Sequence, residues 1–534
     1  MTAVMIAAIP APGAAAATTG PDGVPRPAPV ASRRVFWFSA LAFATLTAVL
    51  PPLCFPTFRS DVLEQIIIGR EWVLGSAKHP ALTTWIMQLF WCGLGHSTFA
   101  PSVAASACAV ATMWAVWRLG RHYVGERESL LGSLCLTAYW YTNVGGAAMY
   151  NNNVTLIALW HLTILAFHHA LVSNRLRAWI LTGVLLGCSL LCKYSAVVLA
   201  LSMTIFLVAE PEGRRRVRTA GPWLAALAAT LVFLPHAAVM LLEFGGSYAY
   251  LEAKRVPMGL LPFGLLMGRD WLVQAVIAAP VVLSVLPLVD WRRRAAGRTS
   301  PSGFSPWFVP AMFGLPILIQ TLLQFALRVN YQQRSYGAHL WVLAGLCMLT
   351  TLRHNIDARR WRIAIVGTVA LAAAQLISLP IATASAHRFS NQETARFFPG
   401  RELAERLDEI WAGICPGPCR FLAAESGKEQ AIWAAGVYSR HQPHVIDPRL
   451  GRWARDEQLN AQGGIVVWKL DQAADADTIP AEIRRRFPRA RSRGAVDLRY
   501  VMQHPQVPSV TLGVAVVEPG GVGRLAAEPP PTLR

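Results

Sequence analysis

Two carboxylates three residues apart, Asp61 and Glu64, open the most chemically loaded stretch of the chain, which runs on through Arg70 and Glu71 to Lys78 and His79. On a helix that spacing puts both acids on one face. Such a pair can take a proton from an attacking hydroxyl or hold a divalent cation, with Asp61 as the metal ligand. It can equally be an ordinary helix start, with Asp61 near the cap and both acids favoured by the positive end of the helix dipole. Lys78 is a compact point charge suited to a phosphate, or else a side chain snorkelling at a membrane interface. His79 beside it serves as a second phosphate contact or as a hydrogen-bonded interface residue.

Further along, Asn151, Asn152 and Asn153 offer amide oxygens to sugar hydroxyls or to an ion, or cap a helix that begins near Val154. Lys193 and Tyr194 interrupt an apolar stretch, where a charge is costly enough to imply a function, and a phosphate is the fitting partner. Lys254 with Arg255, and Arg328 with Arg334 and His339, make two more cationic groups suited to an anionic headgroup or to ordinary surface roles. Cys415 and Cys419 flank a Pro-Gly-Pro turn, which in an oxidising compartment favours a local disulfide over a metal site. The string Glu425-Ser426-Gly427-Lys428 lacks the earlier glycine and the following hydroxyl of a phosphate loop, so no nucleotide cofactor is expected.

Taken as a set, these residues resemble the bacterial family 39 glycosyltransferases, membrane enzymes of the GT-C fold that include protein mannosyltransferases and aminoarabinose transferases. The resemblance rests on Asp61-Val62-Leu63-Glu64, Gly69-Arg70-Glu71-Trp72 and Lys78-His79-Pro80-Ala81-Leu82. It continues at Tyr150-Asn151-Asn152-Asn153, Cys192-Lys193-Tyr194-Ser195 and Leu234-Pro235-His236, and more loosely at Arg452-Trp453 and 463–468. It implies transfer with inversion from a polyprenyl-phosphate sugar donor to a lipid or glycan acceptor such as lipopolysaccharide. Asp61 is then the catalytic acid residue with Glu64 as its neighbour. Lys78, His79, Lys193, Tyr194 and Arg334 face the donor phosphate, and Asn151 and Asn153 the sugar or an ion. Two departures weaken a divalent-metal cofactor, which stays open: asparagines stand at 151–153 where many relatives carry Asp, and Ala77 stands where aminoarabinose-type enzymes have Glu. The same asparagines keep alive a member that binds lipid-linked sugar without catalysis. The rival class is a transporter or flippase of a lipid-linked or anionic substrate, which would place its charges at the bilayer midplane on repeated halves. Here the charged candidates fall in loops and no internal repeat is visible.

The elements that must position these residues are membrane helices. A 534-residue chain that is 54% hydrophobic and 15% charged cannot cover itself with a water-soluble surface, and its mean hydropathy is +0.38. A net charge of +19 would suit nucleic acid, but the basic residues punctuate apolar runs and form no groove with stacking aromatics. About eleven runs are long enough to span: 35–53, 101–119, 130–148, 154–172, 178–192, 196–208, 223–242, 271–289, 307–327, 338–352 and 363–381. Arginine-rich loops alternate with arginine-poor ones, which puts the N-terminus inside and loops 58–80, 149–153, 244–269 and 328–337 outside. The expected organisation is a disordered cytoplasmic tail over 1–32, an α-helical polytopic GT-C-like domain over 33–384, and a periplasmic α/β domain over 385–534, in a bacterial inner membrane. Within the last, helices are expected at 401–414 and 428–438 and towards 487, and strands at 420–424, 444–446, 464–470 and 510–517.

Overall fold

The computed structural model describes residues 18–19, 25–26, 29–76, 78–244, 252, 255–290, 305–329, 337–352, 354–385, 397–425, 430–447, 455–470, 478–500 and 509–519. Arg334, Lys254, Ser426, Lys428, Arg452 and Trp453 therefore lie outside the described residues. The chain divides into two units, one of residues 1–54 with 72–384 and one of 55–71 with 385–534.

Helix α1 (Pro29–Cys54) opens the first unit, and α2 (Ser60–Arg70) belongs to the second. The first unit continues through α3 (Leu82–Gly93), α4 (Ala100–Gly120), α5 (Glu126–Leu134), α6 (Val144–Ala147), α7 (Asn152–Ser173), α8 (Leu176–Leu190), α9 (Val197–Ala209) and α10 (Pro211–Val217). It closes with α11 (Ala220–Phe244), α12 (Leu260–Val285), α13 (Phe308–Leu327), α14 (Ala344–Thr351) and α15 (Ala358–Ala384). Ahead of α1, in the tail expected to be disordered, Thr18–Thr19 pairs with Pro25–Arg26.

Among the described residues seven helices are long and apolar enough to cross a membrane, α1, α4, α7, α11, α12, α13 and α15, and an eighth if the bent pair around Glu210 is one span. Leucines at 241, 242, 261, 265 and 272 stand exposed on their faces, as hydrocarbon contact requires. Four of the eleven expected spans take other forms. The run 130–148 breaks into α5, a 3₁₀ turn at Cys135–Ala138 and α6. Its freed carbonyls are met by side chains, Thr137 by Asn143 and Ala138 by Gln375, while the Tyr139 hydroxyl donates to Ala338 (2.6 Å). Helix α8 has 15 residues, α9 turns through 104° into α10 at Glu210 and Pro211, and α14 has eight. Hydropathy alone does not locate the breaks inside 130–148, whereas the end of α9 at Glu210 and Pro211 coincides with the end of the apolar run 196–208.

Close approach of α8 to α11 is written in two glycines one turn apart. A Cβ on Gly183 would collide with the Ala225 carbonyl, and one on Gly187 would come within 2.7 Å of Val232. Small residues at that spacing let helix backbones meet inside a membrane, where packing rather than the hydrophobic effect drives association.

In the second unit, α16 (Gly400–Ala412), α17 (Gln430–Tyr438), α18 (Asp456–Gln462) and α19 (Ala481–Arg486) accompany a five-stranded sheet. Its strands are β1 (Phe421–Ala424), β2 (His444–Ile446), β3 (Gly464–Lys469), β4 (Arg491–Leu498) and β5 (Val510–Val517), in the order β2-β1-β3-β5-β4. β1 runs parallel to β2 and β3, and β5 antiparallel to β3 and β4. Phe421, Val466, Trp468, Ile483, Phe487 and Ala515 share its core. β4 escapes a hydrophobic reading because it is an edge strand carrying Arg491 and Arg493, a common guard against edge pairing.

The disulfide expected between Cys415 and Cys419 is not formed. Both are buried free thiols. The Cys419 Sγ faces the Phe421 carbonyl at 3.5 Å, and burial holds its thiol protonated, pushing the pKa up to about 12.

Candidate functional site

Within the first unit, the polar residues singled out between 72 and 238 form a connected network. Gly75 and Pro80 bridge across a tight turn, in which the Ser76 hydroxyl accepts from the amides of Lys78 (3.3 Å) and His79 (3.1 Å). Lys78 and His79, both half-buried, therefore sit on a backbone fixed by its own hydrogen bonds. The next element is tied down as well, since the Leu82 amide at the start of α3 donates to the Leu191 carbonyl (3.0 Å).

That carbonyl lies just before the Lys193 turn, which meets the start of α7. Asn151 is the N-cap of α7, and its side-chain oxygen accepts from the Asn153 amide (3.0 Å). Asn152 donates to the Cys192 carbonyl (2.8 Å), and the Lys193 ammonium donates to the Asn153 side-chain oxygen (2.6 Å). Lys193 is 9% exposed. The capping reading of the asparagines thus holds for Asn151, while Asn153 aligns a buried cation at a helix N-terminus, where backbone N–H groups also favour an anion.

Tyr194 extends the network. Its hydroxyl donates to His236 Nε2 (2.8 Å), and His236 Nδ1 donates to the Leu74 carbonyl (2.8 Å), which fixes the imidazole's tautomer. His236 is buried, and a Cβ on Gly75 would stand 2.5 Å from its ring. Sequence reasoning gave His236 no role, although a histidine inside an apolar helix was the available signal. His339 was expected in an exposed cationic group. It is instead 1% exposed, packed on the Trp160 ring at 4.2 Å, with both ring nitrogens unpartnered. Arg255 pairs with Glu252 (3.3 Å) and Arg328 donates to the Met258 carbonyl (3.4 Å), as surface residues do.

The acidic pair belongs to the second unit. Arg59 holds the N-cap position of α2, so Asp61 lies in the first turn rather than at the cap. Asp61 is half-buried and Glu64 is 2% exposed, so the two acids of one helix face meet different surroundings. Burial lowers the pKa of the Arg59 guanidinium, and the nearby Asp61 charge opposes that shift. The ends of the 55–71 segment are fastened to the C-terminal part of the same unit. The Phe58 amide donates to the Tyr438 hydroxyl (2.9 Å), and the two rings stack at 5.6 Å. Thr57 donates to the Phe398 carbonyl (2.6 Å). Arg70 reaches the carbonyls of Gly436 (3.1 Å) and Pro443 (3.3 Å), and Glu71 meets His444 Nδ1 at 2.7 Å. Tyr438 also lies under Arg401 (4.6 Å from ring centroid to Cζ), and burial pushes its pKa up to about 12.

No group of three His, Cys, Asp or Glu side chains arranged to hold a metal ion is found among the described residues.

Residues 78–238 match the family model described as dolichyl-phosphate-mannose-protein mannosyltransferase. No curated protein matches the chain. Among solved structures, the chain resembles ArnT from Cupriavidus metallidurans bound to undecaprenyl phosphate, with 11% identity and a TM-score of 0.54 over 94% of this chain and 100% of that one. The apo form of that ArnT gives 13% identity and 0.48, over 91% and 97%. An oligosaccharyltransferase from Archaeoglobus fulgidus gives 12% and 0.44, over 81% and 68%. The fold of the chain is the GT-C fold of membrane glycosyltransferases.

Proposed function

We propose that this chain moves a sugar from a polyprenyl-phosphate donor to a lipid or glycan acceptor outside the cytoplasm, with inversion at the anomeric carbon. The observation that carries the reading is the placement of the Lys78 turn, the Asn153–Lys193 pair and the Tyr194–His236 pair within the 78–238 stretch that matches the mannosyltransferase family. Its GT-C fold supports the same class.

In this reading the acceptor oxygen attacks the anomeric carbon as the bond from that carbon to the phosphate oxygen breaks. The phosphate leaves with the electron pair, and Asp61 takes the acceptor proton. Lys78 and Lys193 meet charge that grows on the departing phosphate, where a prepositioned cation favours the transition state over the ground state. Tyr194, its hydroxyl donated to His236, lines the site next to Lys193 with its ring, and His79 and Arg334 contact the anion. Asn151 caps α7 and Asn153 holds Lys193 at that end, and the two amides face the sugar. Lipopolysaccharide is one acceptor of the proposed class, and a bacterial inner membrane with the working face in the periplasm is the proposed location.

Asp61→Asn preserves shape and removes the base. It should reduce glycolipid modification by about 100-fold or more, the usual scale for a general base. The measurement is mass spectrometry of envelope glycolipids from a deletion strain carrying the variant at matched membrane level. Parental modification by Asp61→Asn overturns the reading.

A further inference from the structure

Helix α2 carries the proposed base, yet what fixes its ends is the C-terminal part of its unit, more than three hundred residues later in the chain. At the leading end, the Phe58 amide is donated to the Tyr438 hydroxyl and the two rings stack, while Thr57 donates to the Phe398 carbonyl. At the trailing end, Arg70 spans the carbonyls of Gly436 and Pro443, and Glu71 holds His444. Tyr438 closes α17 and Gly436 lies in its last turn, while Pro443 and His444 lead into β2. One helix end and one strand start thus grip both ends of α2.

The chemistry of these contacts is more specific than burial alone would need. Arg70 gives one terminal nitrogen, Nη1, to two backbone carbonyls, which ties α2 to the α17–β2 connection with a direction that an apolar side chain lacks. Tyr438 accepts a backbone N–H three residues ahead of Asp61 and is itself held under Arg401. A carboxylate that must meet an acceptor hydroxyl gains from such restraint, because misplacement by about 1 Å can cost about 100-fold in rate.

We propose that Arg70 and Tyr438, supported by the Glu71–His444 pair, are positioning residues for Asp61, and that the C-terminal α/β unit thereby takes part in turnover without touching substrate. The inference rests on Asp61 being the base.

The test uses the full chain. Arg70→Ala, Arg70→Lys and Tyr438→Phe are compared with the parent for glycolipid modification at matched membrane level, and after purification for binding of undecaprenyl phosphate. Arg70→Ala should lower modification by about tenfold or more while leaving the undecaprenyl phosphate Kd within about twofold, since a displaced base costs rate and not affinity. Arg70→Lys should recover part of the loss, because an ammonium still reaches one carbonyl. Tyr438→Phe keeps the ring and loses the acceptor oxygen. Its loss should be smaller and should likewise spare binding. Parental modification in both Arg70→Ala and Tyr438→Phe, with Asp61→Asn inactive, overturns the positioning role and leaves the function standing. Equal loss of modification and binding in both variants marks general unfolding and also overturns it. Failure of the function itself is read on a different protein, as activity retained by Asp61→Asn.

Discussion

Lys193 shows how much of a residue's meaning lies in its partner. In the sequence it is a charge interrupting an apolar run, costly enough to imply a function with a phosphate as the fitting partner. In the structure it is nearly buried and fixed to Asn153 at the start of α7, which leaves little of it to solvent. Replacing it by Met keeps length and removes charge. Lys193→Met should weaken undecaprenyl phosphate binding by about tenfold or more, matching the roughly 1.5–3 kcal/mol of a charged hydrogen bond. An unchanged Kd in a stably folded variant would make Lys193 only a tie between α7 and the preceding turn. Asn153, Lys193 and Tyr194 could be picked out from the sequence because polar groups are rare in such apolar surroundings. His339 was found but misplaced, because nothing local says whether a histidine near a basic loop turns out to water or in against Trp160. The cysteines at 415 and 419 misled for a related reason. Spacing permits a bond, but where each sulfur points depends on the β1 backbone, and Cys419 turns to Phe421.

For the helices, legibility followed length. Seven long apolar runs became seven long helices, since about 20 apolar residues admit little else. The shorter runs were not resolvable, because whether 130–148 is one helix or three pieces depends on Asn143, Tyr139 and Gln375 finding carbonyls across the fold. In the second unit, strands with both faces buried were legible, and the arginine-bearing edge strand β4 was not. The α8–α11 contact makes a prediction of its own at this scale. Gly183→Val forces a side chain against the Ala225 carbonyl and should cost about 1–3 kcal/mol as overpacking, with a lower midpoint for detergent-solubilised protein. Leu181→Val on the exposed side of α8 should change the midpoint little. Equal midpoints for the two variants would mean that the helices can separate without penalty.

Across the whole molecule, the alternation of arginine-rich and arginine-poor loops makes orientation testable. With Trp72 and Glu518 outside and Arg215 inside, Trp72→Cys and Glu518→Cys should react with a membrane-impermeant maleimide in intact spheroplasts. Arg215→Cys should react only after permeabilisation. All three positions are exposed, so access to the reagent is set by the membrane and not by the fold. Labelling of Arg215→Cys in intact cells would invert the topology. The chain divides near 384, where apolar runs stop. That 55–71 groups with the C-terminal unit was not legible in the sequence, because short loop sequences carry no record of their distant partners. This discontinuity reaches into biosynthesis. Ribosomes add about 5–20 residues per second, so α2 is made roughly 18 to 75 s before the helix and strand that grip it. During that interval its run Ile66-Ile67-Ile68 has no completed unit to enter, and a nascent chain stalled before residue 385 would present it to chaperones and proteases.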